Sequence, residues 1–118
     1  MKIQLDHVQR LNLHALLGAQ RGDLATIRAL WALQDKLALT PEEETAIELK
    51  REFVAGHERV AWNPALTIPA RELEFTEPEA ARIRAAVEAW NSYGAAADRR
   101  WLEPLLAAVL LADSFGSG

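Results

Sequence analysis

The sequence predicts an α+β domain that is mostly helical, with about five helices and a small antiparallel sheet of two or three strands. Three observations predict it. Apolar residues recur at helical spacing through most of the chain. Cap signals stand at Asp6, Asp23, Thr40 and Thr76, ahead of those segments. Between them, from Gly56 to Phe75, the spacing changes to alternation of period two, with Pro64 and Pro69 beside it. At 118 residues the chain reads as one domain over 1–115, with 116–118 as a flexible tail. A chain of this length buries roughly two-thirds of its unfolded surface, so a core forms without staples.

The elements follow in order. "KIQL" alternates, placing Ile3 and Leu5 on one side of a short strand. Asp6 caps a helix through "HVQRLNLHALLGAQ", whose stripe is Val8, Leu11, Ala15 and Leu16, widened by Leu13 and Leu17. Gly18 and Gly22 bracket its exit. Asp23 caps "LATIRALWALQDKL", with Leu24, Ile27, Leu30, Trp31 and Leu37 at helical spacing. "LTPEEE" then restarts the chain: Thr40 caps, Pro41 takes the first helical position and Glu43 completes a capping box. The expected helix runs from Pro41 to Phe53, with Ala46, Ile47, Leu49 and Phe53 as its apolar side. Glu42, Glu43 and Glu44 lie at its positive end, where acid is favoured.

Val60 and Trp62 alternate, as do Leu73 and Phe75. The expected hairpin joins these two strands by the loop 63–70, which keeps both prolines off the ladder. Thr76 and Glu79 form a second capping box. The helix it opens carries Ile83, Val87 and Trp90, and Gly94 ends it. Asp98 looks like a cap for the last helix, but Pro104 would then sit in the interior, losing a hydrogen bond and clashing with the preceding turn. The expected start is therefore near Leu102 or Glu103, or the helix kinks.

In sequence order, "KIQLDHVQRLNLHALL", "GDLATIRALWALQDKLALTPEE", "AWN" and "ELEFTEPEAARIRAAVEAW" resemble a group of small phage and prophage proteins of unknown function. The similarity covers most of residues 2–110 and includes no catalytic signature. It implies a viral or prophage origin and brings no activity with it.

Little in the sequence supports catalysis. There is no cysteine, which excludes disulfides and thiolate sites and fits a reducing, cytoplasmic location. His7 and His14 on one helix are two turns apart, ~10 Å, too far to share an ion. No metal site and no cofactor are expected. Ser92, Ser114 and Ser117 lie in no nucleophile elbow, and no glycine-rich loop opens a helix after a strand. The chain reads as a non-enzyme. No secretory signal is expected, and the most apolar run, Leu105 to Ala112, is far short of the ~20 residues of a membrane span.

Nucleic acid is the rival partner. Helix, helix, turn, helix and hairpin make a winged-helix-like order, in which the helix after the turn enters the major groove. The expected helix there sets Glu42, Glu43, Glu44, Glu48 and Glu52 against Lys50 and Arg51, a net charge of −3 in a chain of net charge −4. DNA phosphates repel such a probe. Arg59, Arg71, Arg82, Arg84, Arg99 and Arg100 form a basic patch only if folding gathers them.

The last helix gives the preferred expectation. Trp101, Leu102, Leu105, Leu106, Val109, Leu110 and Leu111 cover more than one side of it, and a helix apolar all round has to be covered by its own core or by another chain. Trp62, Trp90 and Trp101 are candidate anchors for the contact, or core residues. Trp101, Leu102, Leu105, Leu106, Val109 and Leu110 are thus the candidate protein-binding residues. The expected function is that of a phage or prophage accessory or assembly protein acting through protein contacts, as a homodimer or small oligomer, or on a phage or host protein. The runner-up is a winged-helix-like regulator binding nucleic acid; the third reading is an acidic inhibitor docking on a host protein.

Overall fold

In the computed structural model the chain is described over residues 2–91 and 93–116, with backbone only for His57, Glu58 and residues 108–116. Strand β1 (Lys2–Leu5) leads directly into α1 (His7–Gly18), and α2 (Leu24–Leu37) is followed after three residues by the short α3 (Pro41–Ala46). Strands β2 (Lys50–Val54), β3 (His57–Ala61) and β4 (Arg71–Glu74) come next, then α4 (Glu77–Ala89) and α5 (Arg99–Gly116). The α+β, mostly helical class is as the sequence indicates: five helices with two small antiparallel sheets of two strands.

The pairing of the strands differs from expectation. β4 pairs with β1, Ile3 opposite Leu73, while β3 pairs with β2, Val60 opposite Arg51. The two alternating segments 60–62 and 73–75 therefore belong to different sheets. Ile3, Leu5, Leu73 and Phe75 need a buried face, and β1 offers β4 an inward side that matches. The hairpin β2–β3 has no such face.

Helix α3 is also much shorter than expected. It stops at Ala46 instead of running to Phe53, because Glu48 adopts a left-handed conformation at φ 55° and the Leu49 amide turns back to the Glu44 carbonyl at 2.9 Å. Ile47, next to the turn, is fully buried. The good helix formers of 48–52 yield to that anchor, since weak propensities give way to tertiary packing.

One core unites the rest. Leu13, Leu16 and Leu17 of α1 meet Leu30, Leu33 and Leu37 of α2, with the β1–β4 sheet, Ile83, Ala86 and Val87 of α4, and Trp101 and Leu105 of α5 closing the cluster. The buried stripe of α1 differs from the expected one: His7, Gln9, Arg10, Leu13, Leu16 and Leu17 are inside, while Ala15 is exposed and Leu11 half-buried. Leu24 and Trp31 of α2 point outward despite their helical spacing, Trp31 being 55% exposed. Helix α4 ends at Ala89, with Trp90 as its cap residue, short of Gly94. Helix α5 begins at Arg99 and takes Pro104 into its interior, earlier than expected. Asp98 does not cap it through a side chain; its carboxylate accepts from the Gly94 amide at 2.7 Å and from the Trp101 indole at 2.8 Å. No helix among the described residues is long and apolar enough to cross a membrane.

Candidate functional site

A buried ion pair lies where α1 meets the α2–α3 joint. Arg10 is fully buried. Its Nε donates to the Leu37 carbonyl at 3.2 Å and its Nη2 to the Ala38 carbonyl at 2.8 Å, at the end of α2 where carbonyls lack helical donors. Nη1 and Nη2 also grip the Glu43 carboxylate at 2.7 and 3.1 Å. The same carboxylate accepts the Thr40 amide at 2.9 Å in the capping box of α3. The cation thus sits at the negative end of one helix and the anion at the positive end of the next, both favoured by the helix dipoles. The bonds from Arg10 hold the Glu43 carboxyl far below its usual 4.5, at about 2. Every polar atom of this pair is taken up in holding the fold, and the arrangement has the character of a structural clamp, with no group left to move a proton.

Beside the clamp stands the β2–β3 hairpin. Its turn has positive φ at both central residues, Ala55 (53°) and Gly56 (80°), the backbone of a type I′ turn. None of the five residues of β2 is buried, and Phe53 is 79% exposed, with Val54 and Val60 also in water. The hairpin's extensive packing is between its own two strands. At its root the Asn63 amide donates to the Ile47 carbonyl at 2.9 Å, and the Asn63 side chain donates to Glu48 at 3.3 Å. From α3, Glu44 grips the Arg51 guanidinium, one of the two bonds measuring 3.1 Å, and these bonds lower its pKa.

A cleft of about 740 Å³ separates the hairpin from α1. Leu11, Ala15 and Gly18 line it along the helix, and Arg51, Val60 and Trp62 line it from the hairpin side. Trp62 in turn stands edge-on to the buried His7, ring centres 6.3 Å apart. The His7 Nδ1 is buried with no hydrogen-bond partner.

The sequence-predicted binding residues lie elsewhere. Trp101 and Leu105 are core residues, 6% and 1% exposed, and Leu102 and Leu106 pack half-buried against the same cluster. Arg99, Arg100, Glu103, Pro104 and Ala107 face water, so the described turns of α5 form an ordinary amphipathic helix. The side chains of Val109, Leu110 and Leu111 lie outside the described residues. Trp62 and Trp90 are half-buried. Among the described residues the most exposed large apolar side chain is Phe53, which sequence reasoning placed on the inner side of a helix. The signal that would have found it is the "VAGH" stretch, two residues of turn chemistry between alternating runs.

Three of the basic residues that sequence left scattered have acidic neighbours: Arg71 lies 3.9 Å from Glu43, Arg99 is 3.0 Å from Glu103, and Arg82 is close enough to Asp23 to help lower its pKa. Among the described residues no three His, Asp or Glu side chains group to hold a metal ion. No protein-family model matches this chain, and neither the curated proteins nor the solved structures contain a match to it.

Proposed function

We propose that this protein is a non-enzymatic binding module whose working part is the β2–β3 arm and whose partner is another protein. The observation that carries this is Phe53, 79% exposed on a hairpin that its own domain does not cover. An isolated two-stranded hairpin is marginal in water, and a third strand or an apolar surface stabilises it. A large aromatic at such a tip is the kind of residue that dominates a binding interface.

A partner of different sequence suits the arm better than a second copy. With a two-residue loop, Val54 and His57 form the closing hydrogen-bonded pair, so the outward peptide groups of β2 are those of Arg51 and Phe53, and those of β3 belong to Glu58 and Val60. The antiparallel register that pairs the whole of β2 with β2 of another copy sets Glu52 against Glu52. The equivalent β3 register sets Arg59 against Arg59. Like charges directly opposite oppose both. The resemblance of the sequence to small phage and prophage proteins supports an accessory or assembly role in the cytoplasm of a host cell.

The test is capture from a lysate of the source organism with the wild type and with Phe53→Asp. Phe53 contributes nothing to the core, so the variant keeps the wild-type melting temperature; the expected result is a discrete partner held by the wild type and lost by the variant. Retention of the same partner by Phe53→Asp, or no partner at all, overturns the reading.

The hairpin's position directly after α3 favours one second reading, a wing that contacts nucleic acid with Lys50, Arg51 and Arg59. Glu52 and Glu58 on the same arm oppose it. A gel shift at low salt that disappears as salt rises, and that Lys50→Glu abolishes, would move the assignment to nucleic acid. The acidic-inhibitor reading has less behind it, because Glu43 and Glu44 are engaged by Arg10 and Arg51.

A further inference from the structure

We infer that the outward face of α2 is the interface of a twofold homodimer, in which α2 of one copy lies antiparallel on α2 of the other; this surface is separate from the arm and leaves it free for a partner of its own. Leu24, Arg28, Trp31 and Asp35 stand at i, i+4, i+7 and i+11, so they fall within about 60° of one another around the helix axis. All four are exposed, Leu24 at 61% and Trp31 at 55%. The buried residues of the same helix, Leu30, Leu33 and Leu37, point the opposite way, into the core. Among the described residues five large apolar side chains stand in water: Phe53, Val54 and Val60 belong to the arm, and Leu24 and Trp31 are the other two. A stripe of this spacing is the seam that two helices use when they pack along their length.

The charges on the seam choose the occupant. Arg28 and Asp35 are exposed, and neither makes an ion pair among the described residues. They are seven residues apart, ~10 Å along the axis, and Trp31 stands close to midway between them. An antiparallel twofold through that midpoint sets Arg28 of each copy opposite Asp35 of the other, so the ion pair forms twice. A parallel arrangement sets Arg28 against Arg28 and Asp35 against Asp35, and like charges in contact oppose it. A second copy therefore carries the match this seam asks for, in one orientation, as a self-complementary twofold interface requires. Trp31 of each copy then lies over Ala32 of the other, also exposed, whose small side chain leaves room for the ring. A tryptophan at the centre of a contact, shielded from water by its neighbours, is the residue on which such an interface depends. The helix has 14 residues and is ~21 Å long, so the contact belongs to the size class of weak, reversible association.

The experiment is sedimentation equilibrium of the full-length chain from about 10 μM to about 1 mM. The wild type is expected to pass from monomer to dimer over that range. Trp31→Asp lies outside the core, keeps the wild-type melting temperature and stays monomeric. Phe53→Asp, on the arm, dimerises as the wild type does. Arg28→Asp and Asp35→Arg each weaken the dimer by about tenfold or more, because twofold symmetry turns both ion pairs into like charges. The variant carrying both changes exchanges the two charges, restores both pairs and dimerises like the wild type. It puts acid in the N-terminal half of α2 and base in its last turn, which the helix dipole favours, and its melting temperature shows that it folds. A wild type that is monomeric throughout the range, a dimer indifferent to Trp31→Asp, a dimer abolished by Phe53→Asp, or a double variant no stronger than either single one each overturns the inference.

Discussion

Arg10 is the residue on which the helical half of the molecule turns. Its five donors reach two helix ends at once, and Glu43 answers with a carboxylate that also caps α3. Removing one member of a buried pair leaves the other uncompensated. Glu43→Gln is therefore expected to destabilise the fold by ~3 kcal/mol in chemical denaturation, and Arg10→Ala by at least as much. A double change of Arg10 and Glu43 to Met and Leu should restore most of the loss, because well-packed apolar replacements of a buried pair are tolerated. The pH dependence has a definite sign. The folded-state pKa of Glu43, about 2, lies below its ordinary 4.5, so its contribution is complete above that ordinary value and is lost as pH falls from about 4.5 towards 2. Acid titration of the wild type should show this loss, and the Glu43→Gln variant should be flatter over the same interval.

At the scale of elements, the three capping boxes share a device. In each, the residue that reaches back to cap its own helix also makes a tertiary contact: Gln9 towards the Trp101 carbonyl at 3.5 Å, Glu43 to Arg10, and Glu79 to Lys36 at 2.8 Å. The bonds from Lys36 hold the Glu79 carboxyl below its usual range. Two of the boxes, at Thr40 and Thr76, and the cap at Asp6 were legible in the sequence because capping is local, a matter of residues three apart; the return bond from Gln9 was not. The boxes' second partners lie 33 or more residues away, and spacing carries no information about them. The arm shows the opposite failure. Local propensity favoured helix through residues 48–52, and the burial of Ile47 with the left-handed Glu48 decided against it. Ala55 is the weak point of the turn, since a left-handed alanine costs ~1 kcal/mol that asparagine largely avoids. Ala55→Asn should slow hydrogen exchange of the β2–β3 amides several-fold and leave the helical amides unchanged.

For the whole molecule, the sequence reveals more about how the chain is built than about what it touches. The class, the helices around Leu13, Leu30 and Ile83, and every capped start follow from periodicity and turn chemistry. The last helix was read as too apolar for one domain to cover, yet Trp101 and Leu105 find room in the shared core, where α5 packs on α1 and β1. Composition can count apolar residues but cannot say how much surface the rest of the fold offers them. Phe53 was hidden for the converse reason: a lone aromatic among Glu, Lys and Arg looks like the inner edge of an amphipathic helix until the strand pairing is known.

Neighbouring Glu43 and Glu44 face different allegiances, one fastened to the body through Arg10, the other to the arm through Arg51. Glu43 is held at about 2 and Glu44 below its usual range, each by the arginine it grips. Only the outer of these two tethers fastens the arm. Glu44→Gln, which weakens that tether and leaves the inner one whole, should therefore increase protease clipping near Gly56 while the helical circular dichroism is still intact.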